Sequence, residues 1–349
     1  MTMCLKVVHR RGYAARNASV AFGASLAVLA AAVHAEAKAK YTTFGVSGAA
    51  LTEPACINDA GTIGGKYTDS SGVTHGFVRA ADGTITEFDP TGSIDTVAGG
   101  EAQCLNTTGA LVGSYEDSSD VWHGYVRADD GTITTFDPRG STGTYPGGIN
   151  TSGQITGYYT VSGGEEHGFL RTAAGKIKSF APSGSTGTQP GAINDGGQIV
   201  GFYGDDTGVL HGFVRAADGT ITTFDPTGSQ DTVANDINSG GAIIGRFLTD
   251  SGYEGFIRAA DGTFTTFNPT GSTYTTANCI NKSGSTSGRW EDSSGVFHGY
   301  VRSAKGTITE FDPRGSSSTD APSMNDKGVI TGLYQDLGKG AVYGYLRTP

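Results

Sequence analysis

Short runs of alternating apolar and polar residues follow one another along the chain, separated by glycine-containing turns. In the stretch 54–90, one run ends at Ile57 and three more span residues 62–68, 73–79 and 84–88. A period of two predicts β-strands, and turns of this composition predict hairpins. After residue 37, no window longer than one strand has a helical period, so the sequence predicts an all-β fold.

The same pattern of four strands recurs along the chain. Each recurrence contains Gly, then Phe or Tyr, then an aliphatic residue, then Arg, at intervals of 43 to 48 residues. A repeat of this length with four strands is typical of one blade of a β-propeller. The sequence therefore predicts a seven-bladed β-propeller over residues 38–349, with four antiparallel strands per blade. The repeated glycines are Gly76, Gly124, Gly168, Gly212, Gly255, Gly299 and Gly344.

The two ends of the repeat region complement each other. The last repeat stops after its third strand, while residues 41–44 match the fourth strand found at 221–224. We expect this N-terminal strand to complete the last blade and close the ring, which removes an exposed sheet edge. Proline at the start of several first strands suits the innermost position of a blade, because proline is tolerated where strands begin.

Residues 1–37 differ in kind from the repeats. Basic residues precede an uncharged, Ala-rich run of about 16 residues, and a small-residue site ends at Ala37, which together predict a signal peptide. A membrane anchor is the alternative, but the run is shorter than the roughly 20 residues that span a bilayer. We expect a monomer that is secreted or periplasmic, with the export route left open.

The charge of the chain excludes some partners. The formal net charge is −10, with 24 Lys and Arg against 34 Asp and Glu, and no stretch is rich in Lys or Arg. Nucleic acid and anionic membrane surfaces are therefore poor partners. No second hydrophobic segment predicts a membrane span, and an extracellular glycan or protein remains as the expected partner.

The repeat also resembles a known family. The residues that carry the resemblance are 193–203 (INDGGQIVGFY), 212–215 (GFVR) and 220–226 (TITTFDP). They are similar to the HAF repeats of bacterial extracellular proteins, and the likeness covers the chain beyond the predicted signal peptide. The resemblance implies secretion and a tandem β architecture. It transfers no catalytic motif.

A histidine precedes the repeated glycine in five repeats. Equivalent positions on different blades are too far apart to share one metal, and no metal-binding spacing is present, so we predict neither a metal site nor a cofactor. We interpret these histidines as imidazoles that hydrogen-bond to a loop. They are His75, His123, His167, His211 and His298.

The arginine that ends the third strand is present in every repeat, from Arg79 to Arg347. A residue that recurs in this way solves a structural problem common to all blades. One partner for it is the Asp of the Asp-Pro turn, present as Asp89, Asp137, Asp225 and Asp312 and replaced by Ala181 and Asn268 in two repeats.

Cysteine appears at one position of the first strand, as Cys56, Cys104 and Cys279. An odd number leaves at least one thiol unpaired. Only Cys56 and Cys104, on adjacent blades, are a reasonable disulfide, and whether they form one is left open.

Positions that differ between otherwise similar blades are better candidates for function. One such position follows the second-strand glycine. It carries cations on blades one, five and six and aromatic residues on blades three and four. Cations and aromatic rings on one face suit an acidic polysaccharide. The predicted ligand-binding residues are Lys66, Arg246, Arg289, Tyr158 and Phe202.

Three functions remain open at this point. A non-catalytic binding or adhesion module explains export and the near-identical blades, and we predict no catalytic residue. A polysaccharide lyase or glycosidase is the first alternative, with an acid/base pair among Glu165, Glu166, Asp236, Glu254 and Glu291. An envelope-associated scaffold is the second.

Overall fold

The computed structural model describes residues 39–99 and 103–349, and this part of the chain is all β. The predicted signal peptide and its cleavage site lie outside the described residues. The strands fall within a residue or two of the predicted runs: the three after Ile57 are Ile63–Thr68, Thr74–Arg79 and Ile85–Phe88. The predicted all-β class is confirmed.

Twenty-eight strands in the described ranges form antiparallel four-stranded units, each containing a first, second, third and fourth strand. The first strands are β2 (Leu51–Ile57), β6 (Ser93–Ala98), β10 (Ser141–Ile149), β14 (Gly187–Ile193), β18 (Asp231–Ile237), β22 (Tyr274–Ile280) and β26 (Ser316–Met324). The second strands are β3 (Ile63–Thr68), β7 (Leu111–Asp117), β11 (Ile155–Val161), β15 (Ile199–Gly204), β19 (Ile243–Thr249), β23 (Thr286–Glu291) and β27 (Ile330–Asp336).

The outer half of each unit repeats in the same way. The third strands are β4 (Thr74–Arg79), β8 (Trp122–Arg127), β12 (Glu166–Arg171), β16 (Leu210–Arg215), β20 (Gly252–Arg258), β24 (Phe297–Arg302) and β28 (Val342–Thr348). The fourth strands are β5 (Ile85–Phe88), β9 (Ile133–Phe136), β13 (Ile177–Phe180), β17 (Ile221–Phe224), β21 (Phe264–Phe267), β25 (Ile308–Phe311) and β1 (Lys40–Phe44). Unit one begins with β2 and unit seven with β26.

The N-terminal strand belongs to the last unit. β1 pairs antiparallel with β28, and the pairing runs from Lys40 opposite Thr348 to Phe44 opposite Gly344. The Phe44 ring fills the space over Gly344, where an added Cβ would lie 2.7 Å from it. The N-terminal strand therefore occupies the predicted fourth position.

Most of the first strands contact one another: β10 with β14, β14 with β18, β18 with β22, β22 with β26, and β26 with β2. An asparagine follows each first strand, and its side-chain amide donates to the backbone carbonyl of the asparagine in the next unit, at 3.1 to 3.4 Å. The last donation, from Asn325 to Asn58, joins unit seven to unit one. The participants are Asn58, Asn106, Asn150, Asn194, Asn238, Asn281 and Asn325.

Glycine in the second strand allows close packing. A Cβ on Gly65 would lie 2.6 Å from the Glu53 carbonyl oxygen and 2.6 Å from the ring of Phe77. Phe77 is fully buried, as are its equivalents in the other described units. The absence of a side chain at this position lets an aromatic ring of the third strand lie directly over the backbone.

Candidate functional site

The units have two ends, which we call the Asp end and the Asn end. The Asp end holds the turns between second and third strands, such as 69–72, and the connections that enter the next first strand. The Asn end holds the asparagine turns, such as 58–62, and the turns between third and fourth strands. Every candidate described below belongs to one end or the other.

The repeated histidines connect two turns at the Asp end. His75 Nδ1 lies 2.7 Å from Asp89 Oδ2, its Nε2 lies 3.7 Å from Asp69 Oδ2, and its ring stacks on Tyr67 at 5.0 Å. Burial opposes the charged imidazole, but the hydrogen bond and charge of Asp89 and the charge of Asp69 outweigh it, and the pKa of His75 is raised. The predicted bond to a loop is confirmed. His123, His211 and His298 each contact the two aspartates at the equivalent positions of their own units.

The expected pairing of the repeated arginine with the Asp of the Asp-Pro turn is wrong. That Asp binds the histidine, whereas Arg79 lies over the Phe44 ring at 4.9 Å and donates from Nη1 to its neighbour's carbonyl, Ala80 O, at 3.2 Å. The ring under each arginine is the last residue of the preceding unit's fourth strand. The pairs, at 4.7 to 5.1 Å, are Arg79–Phe44, Arg127–Phe88, Arg171–Phe136, Arg215–Phe180, Arg258–Phe224, Arg302–Phe267 and Arg347–Phe311.

Each predicted cation has a partner within the chain. Lys66 Nζ lies 3.5 Å from Glu53 Oε2. Arg289 Nη1 donates to Asp320 Oδ2 at 2.7 Å, and only 13% of the Asp320 side chain is exposed. The guanidinium of Arg246 lies over a tyrosine ring at 5.7 Å. These contacts reduce the positive charge that is available to an acidic ligand.

The two predicted aromatic residues lie on neighbouring units. Tyr158 stacks on Tyr145, with ring centroids 4.8 Å apart and an interplanar angle of 22°. Phe202 is half-buried and lies opposite Gln189 in the pairing of β14 with β15. Within the described part of the chain, no hydrogen bond, ion pair or ring contact joins Tyr158 or Phe202 to Lys66, Arg246 or Arg289. The predicted positions therefore belong to separate clusters instead of one site.

The first cluster, which we call the aromatic cluster, contains Trp122, Tyr145 and Tyr158. Trp122 lies 6.3 Å from Tyr145 at an angle of 32°, which extends the tyrosine pair into a row of three half-buried rings. The Trp122 side chain is hydrogen-bonded to Glu116. Glu166 accepts a 2.7 Å hydrogen bond at Oε2 from Gln189 Nε2.

The second cluster, which we call the arginine cluster, lies in units five to seven. Tyr274 packs against Tyr253 at 5.3 Å and against Phe297 at 5.9 Å. Arg246 lies over Tyr253, and Arg289 lies over Phe297 at 5.0 Å while it binds Asp320. Both clusters lie toward the Asp end. Tyr158, Arg246 and Arg289 occupy the same second-strand position, whereas Tyr274 lies two residues before the position equivalent to Tyr145.

A cavity of about 300 Å³ lies at the opposite, Asn end, among the asparagine turns. Gln103 reaches into it and links three units: its Nε2 donates to Asp236 Oδ1 at 2.7 Å, and its Oε1 accepts from Ile193 N at 2.9 Å. Asp236 is 1% exposed, and burial raises its pKa to about 6 despite hydrogen bonds from Ile280 and Ile237. Its carboxylate already has donors for both oxygens, so we assign this arrangement to the support of the first strands.

Cys56 and Cys279 lie near the ends of the first strands β2 and β22, and Cys104 follows β6. Cys56 and Cys104 form a disulfide between units one and two, with Cα atoms 5.8 Å apart, which settles the bridge that the sequence left open. Cys279 is a buried free thiol. Its Sγ donates a hydrogen bond to Met324 O and accepts one from Met324 N, both at 3.3 Å. Burial raises the pKa of this thiol well above its ordinary value, so it is a poor nucleophile.

Of the five carboxylates considered for acid/base chemistry, only Glu166 lies beside the aromatic cluster, where its charge helps to raise the pKa of Tyr145 and of Tyr158 after the larger effect of burial. Glu165 lies 3.7 Å from His167, Asp236 lines the cavity among the asparagine turns, and Glu254 and Glu291 lie on β20 and β23. Sequence reasoning missed Glu116, Trp122 and Gln103. The signal for Gln103 was the spacing of 48 residues between Gly76 and Gly124, because the extra residues of unit two follow its first strand, which ends at Ala98.

Two further observations concern the described ranges only. Between residues 39 and 349, apart from 100–102, no group of three or more His, Cys, Asp or Glu side chains is arranged to hold a metal ion. The same ranges contain no helix with the length and hydropathy of a membrane span.

Comparison with known proteins shows the fold. No family model and no curated protein matches the sequence. Among solved structures, a virginiamycin B lyase from Staphylococcus aureus matches with a TM-score of 0.59 and 16% identity, over 89% of this chain and 100% of that one. The β-propeller domain of the Trilobed protease from Pyrococcus furiosus matches with a TM-score of 0.59 and 8% identity, over 85% and 95%.

A puromycin hydrolase matches with a TM-score of 0.57 and 12% identity, over 84% of this chain and 52% of that one. The chain thus spans about half the length of that enzyme. Identities this low carry no activity or substrate from one protein to another. The likeness places the chain among proteins with a β-propeller scaffold.

Proposed function

We propose that the chain is an exported, closed seven-bladed β-propeller that binds an extracellular glycan at its Asp end without catalysing a reaction. Three features support the closed ring: the asparagine bonds that return from Asn325 to Asn58, the repeated contacts of arginine over phenylalanine, and the pairing of β1 with β28. Each four-stranded unit is then one blade.

The extracellular setting of the proposal comes from the sequence. Residues 1–37 have the pattern of a signal peptide, and the repeats resemble those of the HAF family of bacterial extracellular proteins. A disulfide between Cys56 and Cys104 is compatible with an oxidising compartment, since such bonds are rare in the reducing cytosol. We propose secretion or a periplasmic location on these grounds.

The observation that carries the function is where the units differ. Residues shared by the units, such as His75 and Arg79, make intramolecular contacts that every blade needs. The residues that vary toward the Asp end assemble into the aromatic and arginine clusters instead. Half-buried aromatic rings beside carboxylate and amide groups are suited to sugars, which present apolar faces and hydroxyl groups together.

A glycan array with residues 38–349 tests the proposal. We expect binding to at least one glycan class. Tyr145→Ala should weaken the binding of ligands of the aromatic cluster by about tenfold, because the sugar loses its stacking contact with the tyrosine ring. Arg246→Ala should do the same for acidic ligands of the arginine cluster. Thr222→Ala, an exposed change on β17, serves as the control. An array on which no glycan binds would refute the proposal.

One observation favours glycoside hydrolysis as a second candidate. Glu116 and Glu166 both lie close enough to the Tyr145 hydroxyl to raise its pKa, after the larger effect of burial. Burial and neighbouring charges raise the pKa of Glu116 itself, as general acids require. Incubation with oligosaccharides should then release reducing ends, and Glu116→Gln should abolish the release. Unsaturated, ultraviolet-absorbing products from uronic-acid polymers would indicate a lyase instead.

A further inference from the structure

We infer that the aromatic cluster binds an amino-sugar polysaccharide with free amines. This inference rests on the proposed glycan-binding function and names the ligand class of one of its two clusters. It also departs from the acidic polysaccharide that the sequence suggested, because the residues around these rings have the opposite charge.

The rings provide a continuous apolar surface. Trp122, Tyr145 and Tyr158 come from β8, β10 and β11, so the row crosses from unit two into unit three. Their centroids are separated by 6.3 Å and 4.8 Å, and no side chain is fully buried. Tyr145 and Tyr158 are too close for a sugar to enter between them. The exposed ring surface, with Trp122 at one end, is the part that a pyranose can contact.

The polar groups beside the rings are acceptors with negative charge. Within the described residues, neither Glu116 nor Glu166 is within 4 Å of a Lys or Arg nitrogen. Glu166 is held by the neutral amide of Gln189, which leaves its charge uncompensated. A ligand that carried carboxylates would be repelled here, whereas an ammonium group would form charge-assisted hydrogen bonds.

Further carboxylates strengthen this field. Burial raises the pKa of Glu116, and the charges of Asp120 and Asp95 raise it further. Asp120 is at the adjacent turn, and Asp95 is on β6 of the same unit. The aromatic rings themselves also attract cations through their faces. Stacking and charge therefore favour the same ligand, a sugar with an amine.

The arginine cluster provides a comparison within the molecule. At the position of Tyr158, units five and six have Arg246 and Arg289, so aromatic residues there are accompanied by cations. The two clusters have similar rings and opposite charge. A single sugar-binding surface with one ligand class does not explain this difference in charge. Two surfaces that bind ligands of different charge do explain it.

The test is a calorimetric titration of residues 38–349 with four oligosaccharides of equal length: glucosamine oligomers, their N-acetylated forms, cello-oligosaccharides and oligogalacturonate. We expect the glucosamine oligomers to bind at least about tenfold more tightly than the N-acetylated ones, and high salt to weaken the difference. Glu116→Gln and Glu166→Gln should each remove most of this preference, while Trp122→Ala should weaken all binding at this cluster.

Glu310→Gln, which removes an exposed carboxylate on β25, is the matched control and should leave the titration unchanged. Equal affinity for amine, N-acetyl and cello-oligosaccharides, or glutamine variants that keep the preference, would overturn the inference and leave glycan binding intact. Binding of oligogalacturonate alone would also overturn it. If none of the four binds and the array is empty, the proposed function fails as well.

Discussion

Single residues in this chain keep their identity from unit to unit but differ in their surroundings. His75, His123, His211 and His298 each lie between two aspartates, whereas His167 has Glu165 on one side and Ala181 where the other Asp would be. The pKa of the four doubly bound histidines is raised, because the aspartates outweigh the opposing effect of burial. The imidazolium form is therefore stabilised by folding.

This arrangement predicts how stability depends on pH. A raised folded-state pKa gives stability that is fully present below the unfolded value of about 6.5 and is lost as pH rises through the folded value. Buried Asp236, with a pKa raised to about 6, also loses stability as pH rises, but it does so at lower pH, between about pH 4 and pH 6. We expect the free energy of unfolding to fall as pH rises above about 6.5 in denaturant titrations.

Asp225→Asn should make that fall smaller, because His211 loses its partner at 2.8 Å. His167→Gln, in the unit without the second Asp, should change the pH dependence less. A stability that rises with pH over this window would contradict the assignment of charged histidines.

Periodicity predicted that the repeated arginine is structural but not what it contacts. Phe88 and Asp89 are adjacent and recur with the same period. Spacing alone therefore cannot decide between a contact of Asp89 with Arg79 in the same unit and a contact of Phe88 with Arg127 in the next unit. The choice depends on which side of the strand each residue faces and on packing between units. Those are properties of the assembled sheets.

At the scale of elements, the first strand of unit two is the irregular one. β6 ends at Ala98, and the chain resumes the common pattern at Cys104, after more residues than other units have there. Gln103 belongs to this interruption and directly precedes Cys104 of the disulfide. Strand bounds were predictable because glycine turns mark them. The contacts of the interruption were not, because no other unit repeats it.

The disulfide should contribute to stability through the unfolded chain. It closes a loop of 48 residues, for which the loop-entropy model gives up to about 4 kcal/mol. A Cys56→Ser, Cys104→Ser variant should lose a large part of this in denaturant titration. Serine suits these positions, since unit seven has Ser323 there. Reductant should destabilise the unchanged protein and leave the variant unaffected, and equal stabilities of the two proteins would contradict the prediction.

At the scale of the whole molecule, the short N-terminal strand contacts both the first and the last unit. Phe44 at the end of β1 lies under Arg79 of unit one, packs 6.3 Å from Phe77, and covers Gly344 of unit seven. One short strand thus joins the last unit to the first. The pairing of β1 with β28 was predictable, because the fourth strand missing from the last repeat and the extra N-terminal strand match in sequence.

Removal of residues 38–45 should therefore destabilise the protein strongly. Loss of the packing of half-buried Phe44 alone predicts up to about 3 kcal/mol, and the exposed edge of β28 should promote aggregation. Thermal unfolding and light scattering measure both effects, with the protein that begins at residue 38 as the reference. An unchanged midpoint of thermal unfolding and no aggregation would show that other contacts hold the last unit against the first.

The pairing of Lys40 with Thr348 also places the beginning of the repeat region beside its end. A short linker can therefore join these residues, and new termini can be opened at an exposed turn such as 69–72 without changing any strand pairing. Circular permutation would then move the junction from unit seven to another unit. We therefore expect the unit that contains the two chain ends to be set by chain connectivity alone, and the packing of the units to stay the same wherever the ends lie.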